Sequence, residues 1–256
     1  MIGPVARQFC RHVTELLRDH GKEGVKGVRI TLVDDALSKL PLFAALDDDA
    51  GAALRGAMRH ERFERGDVIF DEGDPGDKLF AVIDGKVKLA RTAPDGRENL
   101  QAVLGPGEMF GELSLFDPKP RTAGAVAVTD TVLASLAHEE LRPWITGRPD
   151  VAVQLLQALA QRLRRTNDVL ADLVFSDVPS RVAKALLGLA ERFGQPTAEG
   201  IHVAHDLTQE ELAQLVGASR ETVNKALADF SSRGWLRVES RAVVIRDVEG
   251  LSRRAK

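Results

Sequence analysis

A chain of 256 residues with 44% hydrophobic content can bury a substantial core, and its length suits two ordinary domains better than one. The net charge of −3, from 35 Lys plus Arg against 38 Asp plus Glu, excludes an overall basic field, so any contact with nucleic acid has to come from local placement. The one cysteine, Cys10, excludes an internal disulfide and a thiolate-built zinc or iron-sulfur centre.

The N-terminus MIGPVARQFCRHVTELLRDH has no apolar core followed by a small-residue cleavage site, and no apolar run in the chain is long enough to span a bilayer. A cytoplasmic protein without a membrane partner is expected. Residues 1–30 join a short amphipathic stretch (Val13, Leu16, Leu17) to the glycine-rich HGKEGVKGVRI, a flexible extension that an alternative start at Val33 would remove. From Asp34 the pattern predicts two short helices, with Pro41 and the Asp47 to Asp49 cluster marking the start of the second.

Residues 31–148 form the first expected domain. Between Phe63 and Leu136, turn residues recur at Gly66, Gly73 to Gly76, Asp84-Gly85, Asp95-Gly96, Gly105 to Gly107 and Gly124, separating runs such as KLFAVI, KVKLA and ENLQAVL. That spacing predicts a small antiparallel barrel or roll, and VIDGKV predicts a hairpin closed by a type I′ turn. Residues 149–176 then read as one long helix without internal Gly or Pro. Leu156, Leu159, Leu163, Thr166, Leu170 and Leu173 make a heptad seam with one polar member.

Residues 177–256 form the last domain. Asp177 and Pro179 start a helix whose Val182, Leu186, Leu189 and Phe193 share a face before Gly194. His202 and His205 follow in IHVAHDL without a third ligand nearby, so no metal site is expected. Thr208 and Glu211 make a capping box, Gly217 breaks that helix, and Ser219 caps the next, in which Val223, Ala226, Leu227 and Phe230 oppose Arg220, Glu221, Asn224 and Lys225. With the strands WLRVES and RAVVIRD, this is a helix-turn-helix with a wing. A charged helix face is ordinarily just solvated. Arg220 and Glu221, however, lie in the first turn of the second helix, where base edges are reached, and a glutamate repelled by phosphates suggests base reading.

Two charges in GEMFGELSLFDPKPRTAGAVA are unexplained by their surroundings. Glu112 and Arg121 could pair with each other or point into water. The alternative is an anion cradle: Gly107 and Gly111 allow close backbone approach, GELSLF opens a helical turn, and Arg121 with Thr122 adds a guanidinium fork and a hydroxyl. Glu112, an acceptor only, then fits a sugar hydroxyl beside the anion. Phosphate and ribose together suggest a nucleotide.

The cassette G-E-L-x-L-F followed by R-T-A resembles the cyclic-nucleotide signature of the cyclic AMP receptor protein (CRP/FNR) family of bacterial transcription regulators. RTAPDGREN, SDVPSRVAKALL and DLTQEELAQLVGASRETVNKAL are most similar to its actinobacterial, GlxR-like branch. The resemblance covers approximately Val33 to Arg254. It implies an α+β fold: an N-terminal cyclic-nucleotide-binding β-roll of the double-stranded β-helix or jelly-roll type, a long dimerisation helix and a C-terminal winged helix-turn-helix.

It also implies roles. Gly111, Glu112, Leu113, Arg121 and Thr122 would hold the cyclic phosphate and ribose, and Thr166 and Asn167 would meet the base across the dimer. Asn167 departs from the family's Ser. Cyclic AMP is expected because the seam threonine is retained, although a Thr at position 122 also occurs in cyclic-GMP-binding relatives. Ser219, Arg220, Glu221, Thr222 and Lys225 would face a palindromic TGTGA-like operator, with Thr208 and Gln209 on backbone phosphate. Lys225 departs from the commoner Arg. The implied partners are double-stranded DNA, a cyclic nucleotide, a second copy of the chain through residues 149–176, and RNA polymerase. Activation and repression both fall within such a family, and no enzyme is expected, since no nucleophile-base set, Walker loop or metal cluster is present. Two other readings stay open: a regulator of the same fold that acts without a nucleotide, and a cyclic-nucleotide sensor that acts through protein contacts.

Overall fold

A computed structural model describes residues 36–38, 40, 43, 46–94 and 96–256. The amphipathic stretch at Val13 to Leu17, the glycine-rich connection and Val33 lie outside the described residues. Residues 36–38 are helical, and α1 (Asp48–Ala57) is capped by the Asp47 carboxylate, which accepts from the Ala50 N–H at 2.8 Å.

Eight strands follow: β1 (Arg59–Phe63), β2 (Val68–Phe70), β3 (Lys78–Asp84), β4 (Val87–Thr92), β5 (Glu98–Leu104), β6 (Met109–Phe110), β7 (Gly124–Ala127) and β8 (Thr131–Ala137), with the one-turn helix α2 (Leu113–Phe116) between β6 and β7. They form two antiparallel sheets ordered β1-β8-β3-β6 and β2-β7-β4-β5. Period-two alternation along β3 explains the layering. Phe80 and Val82 face the second sheet with Val87, Leu89, Leu104, Phe110 and Leu133, while Leu79, Ala81 and Ile83 face a helical layer with Leu37, Leu54, Leu141 and Leu155.

The VIDGKV segment does not form the expected hairpin. β3 pairs with β6 and β8, and β4 pairs with β5 and β7, so the tight connection at Gly85 (φ +85°) is a corner carrying the chain from one sheet to the other. Asp84 keeps a negative φ, and a Cβ on Gly85 would stand 2.4 Å from the Asp130 carbonyl oxygen, so glycine is required there by packing as well as by φ.

Helix α3 (His138–Gly147) leads into the long α4 (Pro149–Phe175). Val151 and Leu155 are buried near its start, whereas Leu156, Leu163, Leu170 and Leu173 of the seam are exposed, Leu163 by 62%. The C-terminal unit comprises α5 (Val178–Phe193), β9 (Gly194–Thr197), β10 (Gly200–Ala204), α6 (Gln209–Val216), α7 (Arg220–Ser232), β11 (Leu236–Glu239), β12 (Ala242–Ile245) and α8 (Val248–Arg254). The expected caps at Thr208 and Ser219 are present, Asp177 also caps the helix expected to start there, and Gly217 ends α6 in the left-handed conformation at φ +68°. The wing sheet, ordered β11-β12-β10-β9, is larger than the two strands read from the sequence.

The C-terminal unit rests on the roll. Leu100, Val103 and Val128 bury with Leu207, and the Phe193 ring has both Lys86 (5.0 Å from the centroid) and Arg192 (4.8 Å) over it. A Cβ on Gly105 would meet that ring at 2.4 Å. Lys86 pairs with Asp206, Lys88 with Glu211 (2.7 Å), and Arg192 with Glu108. At the junction His205 is 5% exposed, and its Nδ1 accepts from the Leu207 N–H at 3.1 Å, a bond that requires a neutral ring edge.

Burial pushes His205 down to about 4, with Asp206 opposing the shift and Lys86 adding to it. Between the ordinary value of 6.5 and about 4, the unfolded chain binds a proton that the folded chain refuses, so this contribution is complete above pH 6.5 and is lost as pH falls. The melting temperature is expected to drop across that window, and His205→Gln to flatten the drop, in a pH series of calorimetric scans. In a double-mutant cycle of Lys88→Ala and Glu211→Ala, the pair is expected to couple by about 1 kcal/mol in thermal denaturation.

Candidate functional site

The site grows from the β6–α2–β7 segment. Gly111 takes φ +81°, and a Cβ there would stand 2.7 Å from the Arg121 Nη1. The glycine therefore gives the guanidinium its place. Gly76 is equally tied to the site, since its Cβ would fall 2.0 Å from the Ser114 Oγ.

Arg121 is 6% exposed and Glu112 2%. The Arg121 guanidinium lies over the Phe70 ring at 4.4 Å, with Nη1 donating to the Gly111 carbonyl (2.9 Å) and Nη2 to the Lys78 carbonyl (2.7 Å). Burial draws its pKa below the usual arginine range, and the carboxylates of Asp77, Glu112 and Asp74 partly offset this. Both terminal nitrogens thus already serve the backbone, and the free two-pronged fork expected from the sequence is reduced to Nε and the remaining terminal hydrogens. His138, next to this cation, is held below its ordinary pKa by burial first and Arg121 second, and its Nε2 is buried without a partner.

Glu112 does not pair directly with Arg121. Its Oε1 accepts from Arg162 Nη1 of α4 at 2.7 Å, while its Oε2 is buried without a hydrogen bond, as is the Arg121 Nε. A buried carboxylate oxygen and a buried guanidinium nitrogen left unsatisfied together ask for a donor and an acceptor from one ligand. A hydroxyl beside an anionic oxygen meets both requirements.

The cleft holding these groups is lined by Phe70, Leu89, Gln101, Thr122, Ala123 and Arg162, together with Gly111 to Ser114 and Arg121. Its volume is about 40 Å³, enough for a few waters. Through its bond to Glu112, Arg162 makes α4 part of the lining of this cleft. The structure brings Gly111, Glu112, Leu113, Arg121 and Thr122 together as expected. Thr166 and Asn167 are exposed outside the cleft, and the Thr166 hydroxyl donates to its own helix at the Arg162 carbonyl (3.0 Å). Arg162 was missed from sequence although it lies one helical turn before Thr166, on the same face.

In the C-terminal unit, Arg220 and Glu221 are exposed on the first turn of α7, and Glu221 pairs with Lys225 at 2.7 Å. The Ser219 and Thr222 hydroxyls lie 2.9 Å apart. The Thr208 Oγ1 accepts from the Glu211 N–H (3.1 Å) and donates to the Glu211 carboxylate (3.0 Å). Asn224, absent from the sequence-derived site, donates to the Gln209 side chain at 3.1 Å and ties α7 to the start of α6. A larger cleft of about 240 Å³ lies between the wing and α6, lined by His205, Thr208, Gln209, Ser240 and Arg241 among others. No buried, unsatisfied ion of its lining asks for a ligand, unlike the roll cleft. No helix among the described residues is long and apolar enough to cross a membrane, and no cluster of potential metal ligands occurs among them.

Residues 60–146 match the family model of the cyclic nucleotide-binding domain, and residues 180–254 that of the Crp-like helix-turn-helix domain. The chain is 55% identical over 224 residues to the CRP-like cAMP-activated global transcriptional regulator of Mycobacterium tuberculosis, covering 88% of this chain and 100% of that protein. It is 38% identical to the cyclic AMP receptor protein of Thermus thermophilus, covering 81% and 93%. A solved CRP/FNR-family transcriptional regulator from Thermus thermophilus superimposes with a TM-score of 0.66 at 30% identity, over 77% of this chain and 98% of the other.

Gly111→Ala, which adds a Cβ at positive φ against Arg121, is expected to cost about 1–3 kcal/mol in chemical denaturation. A buried cation beside a half-satisfied carboxylate in a β-roll, joined to a winged helix-turn-helix, agrees with these similarities: the chain belongs to the CRP/FNR family of transcription regulators.

Proposed function

We propose that this regulator is a homodimer that binds cyclic AMP in the roll and a palindromic, TGTGA-like operator through α7. The observation that carries the ligand reading is the pair of buried, unsatisfied atoms, Glu112 Oε2 and Arg121 Nε. A ribose hydroxyl donates to the first, and a cyclic-phosphate oxygen accepts from the second, aided by Thr122 and the N–H groups of Gly111 to Leu113. The names of the mycobacterial and Thermus relatives support cyclic AMP as the nucleotide.

The exposed leucine seam of α4 supports dimerisation, because a row of large apolar side chains facing water calls for a partner face. A second copy would bring its own α4 against this one, placing Thr166 and Asn167 near the nucleotide bases. Two recognition helices would then read two half-sites, Arg220 taking guanine O6 and N7 and Glu221 accepting from cytosine. Residues 177–256 carry 12 basic and 11 acidic groups, a net of +1. Weak non-specific attraction makes both arms necessary for tight binding, and through that dependence a ligand can control it. A hundredfold ligand preference for the DNA-competent pose shifts the equilibrium by about 2.7 kcal/mol. The boundaries 31–148, 149–176 and 177–256 are the proposed sensor, dimer and DNA-binding parts, and RNA polymerase is the proposed downstream partner.

Titration calorimetry is expected to show cyclic AMP binding that Arg121→Gln weakens at least a hundredfold. Arg220→Ala should abolish operator retardation in gel shifts while leaving nucleotide affinity unchanged. Loss of operator binding without any nucleotide heat in the native protein would point instead to a regulator of the same fold that uses no nucleotide.

A further inference from the structure

The register of β5 contains an irregularity that bears on the cleft. Leu89 pairs with Ala102 and Ala90 with Leu100, so Gln101 has no counterpart on β4 and is the extra residue of a β-bulge. The alternation of faces is reset there. Ala102 and Leu104 pack toward the core between the sheets, while Leu100 and Val103, three apart, share the outer face against Leu207. In a regular strand, residues three apart point to opposite faces. The bulge leaves the Gln101 side chain in the wall of the cleft, beside Leu89, Phe70 and Ala123.

Within that lining, Arg121, Thr122 and Glu112 account for the phosphate and the sugar, and both charged groups sit at the buried end. Gln101 is exposed, and with the phosphate and sugar assigned to the buried groups the third part of a nucleotide, its base, is left to the exposed part of the lining. Phe70, Leu89 and Ala123 of the lining are apolar, Ser114 is buried and Arg162 is paired with Glu112, so of the lining groups not assigned to phosphate or sugar the Gln101 carboxamide, with one acceptor and two donors, is the one equipped to distinguish one base edge from another.

We propose that Gln101 is the roll's base-reading residue and selects a 6-aminopurine. This rests on the nucleotide reading given above. A carboxamide matches adenine's edge with two bonds, its oxygen accepting from the 6-amino group and its NH₂ donating to N7. Guanine presents O6 and N7, both acceptors, so the carboxamide oxygen would face O6 with no proton between them. A site built to hydrogen-bond one edge rejects a base lacking it, because its polar group is then left unpaired.

The test is calorimetric titration of the full-length protein and of Gln101→Leu and Gln101→Glu with cyclic AMP, 7-deaza cyclic AMP and cyclic GMP. The native protein is expected to bind cyclic AMP about tenfold more tightly than the 7-deaza analogue, which lacks the N7 acceptor. Gln101→Leu, a substitution at an exposed side chain that leaves the fold intact, is expected to bind the two equally and to narrow the preference over cyclic GMP. Gln101→Glu keeps the acceptor for the 6-amino group but loses the donor to N7, so it too is expected to lose discrimination against the 7-deaza analogue. Native ratios retained in Gln101→Leu, with cyclic AMP still bound, overturn the base-reading role and leave the pocket standing. No heat from any of the three nucleotides with the native protein overturns the pocket itself, and this role with it.

Discussion

A guanidinium buried in a β-roll is the constraint from which the rest of the site follows. Removing such a charge from water costs several kcal/mol unless hydrogen bonds and opposite charge replace the solvent. The roll supplies two carbonyls, from Gly111 and Lys78, the face of Phe70, and the surrounding carboxylates of Asp77, Glu112 and Asp74. Each replacement constrains sequence. Gly111 must lack a side chain so that Nη1 can approach its carbonyl, and Gly76 must lack one so that Ser114 can close the same corner. The compensation stops short at Nε and at the neighbouring Glu112 Oε2, where an anion bearing an adjacent hydroxyl would complete it.

The two walls of this cleft are also the surfaces that reach the C-terminal unit. One wall is β5, whose bulge leaves Gln101 exposed in the cleft lining and sends Leu100 and Val103 to Leu207. The other is α4, which grips Glu112 through Arg162 near its middle and approaches the helix-turn-helix at its end. There the Leu173 side chain would lie 2.8 Å from a Cβ on Gly217, and Arg181 donates to the carbonyls of Ser176, Val216 and Gly217. A ligand that moved either wall would therefore displace a surface on which the winged unit rests. Packed elements respond to such displacement by shifting between discrete arrangements rather than by yielding smoothly.

Much of this could be read from residue order because local chemistry dictated it. Asp177, Thr208 and Ser219 cap helices since each supplies a side-chain acceptor to unpaired N–H groups, and the Gly111 to Thr122 cassette announced a ligand through charges out of place. The corner at Gly85 was misread because Asp-Gly fixes a tight turn without fixing which strand pairs with which; that is decided by the layering of Phe80 and Val82 against one sheet and Leu79 and Ala81 against a helical layer. Gln101 and Arg162 escaped notice for a related reason. A bulge is a property of two strands together, and a helix-to-loop ion pair spanning 50 residues exists only after folding.

The junction between roll and winged unit combines two kinds of force that respond differently to solution conditions. Phe193 seated against Gly105, with Leu100, Val103, Val128 and Leu207 around it, is non-directional apolar burial and is insensitive to added salt. Lys86 with Asp206 and Lys88 with Glu211 are ion pairs at the rim, partly open to solvent and therefore partly screened. Glu211 belongs at once to the capping box of α6 and to Lys88 of the roll, so the first turn of the helix-turn-helix is anchored to the sensor by the same carboxylate that completes its cap. Apolar contact thus fixes where the units meet, and charge fixes the register of α6 on that seat. Because salt also screens contacts with DNA phosphate, rising ionic strength loosens the roll's hold on α6 together with the helix-turn-helix unit's hold on DNA.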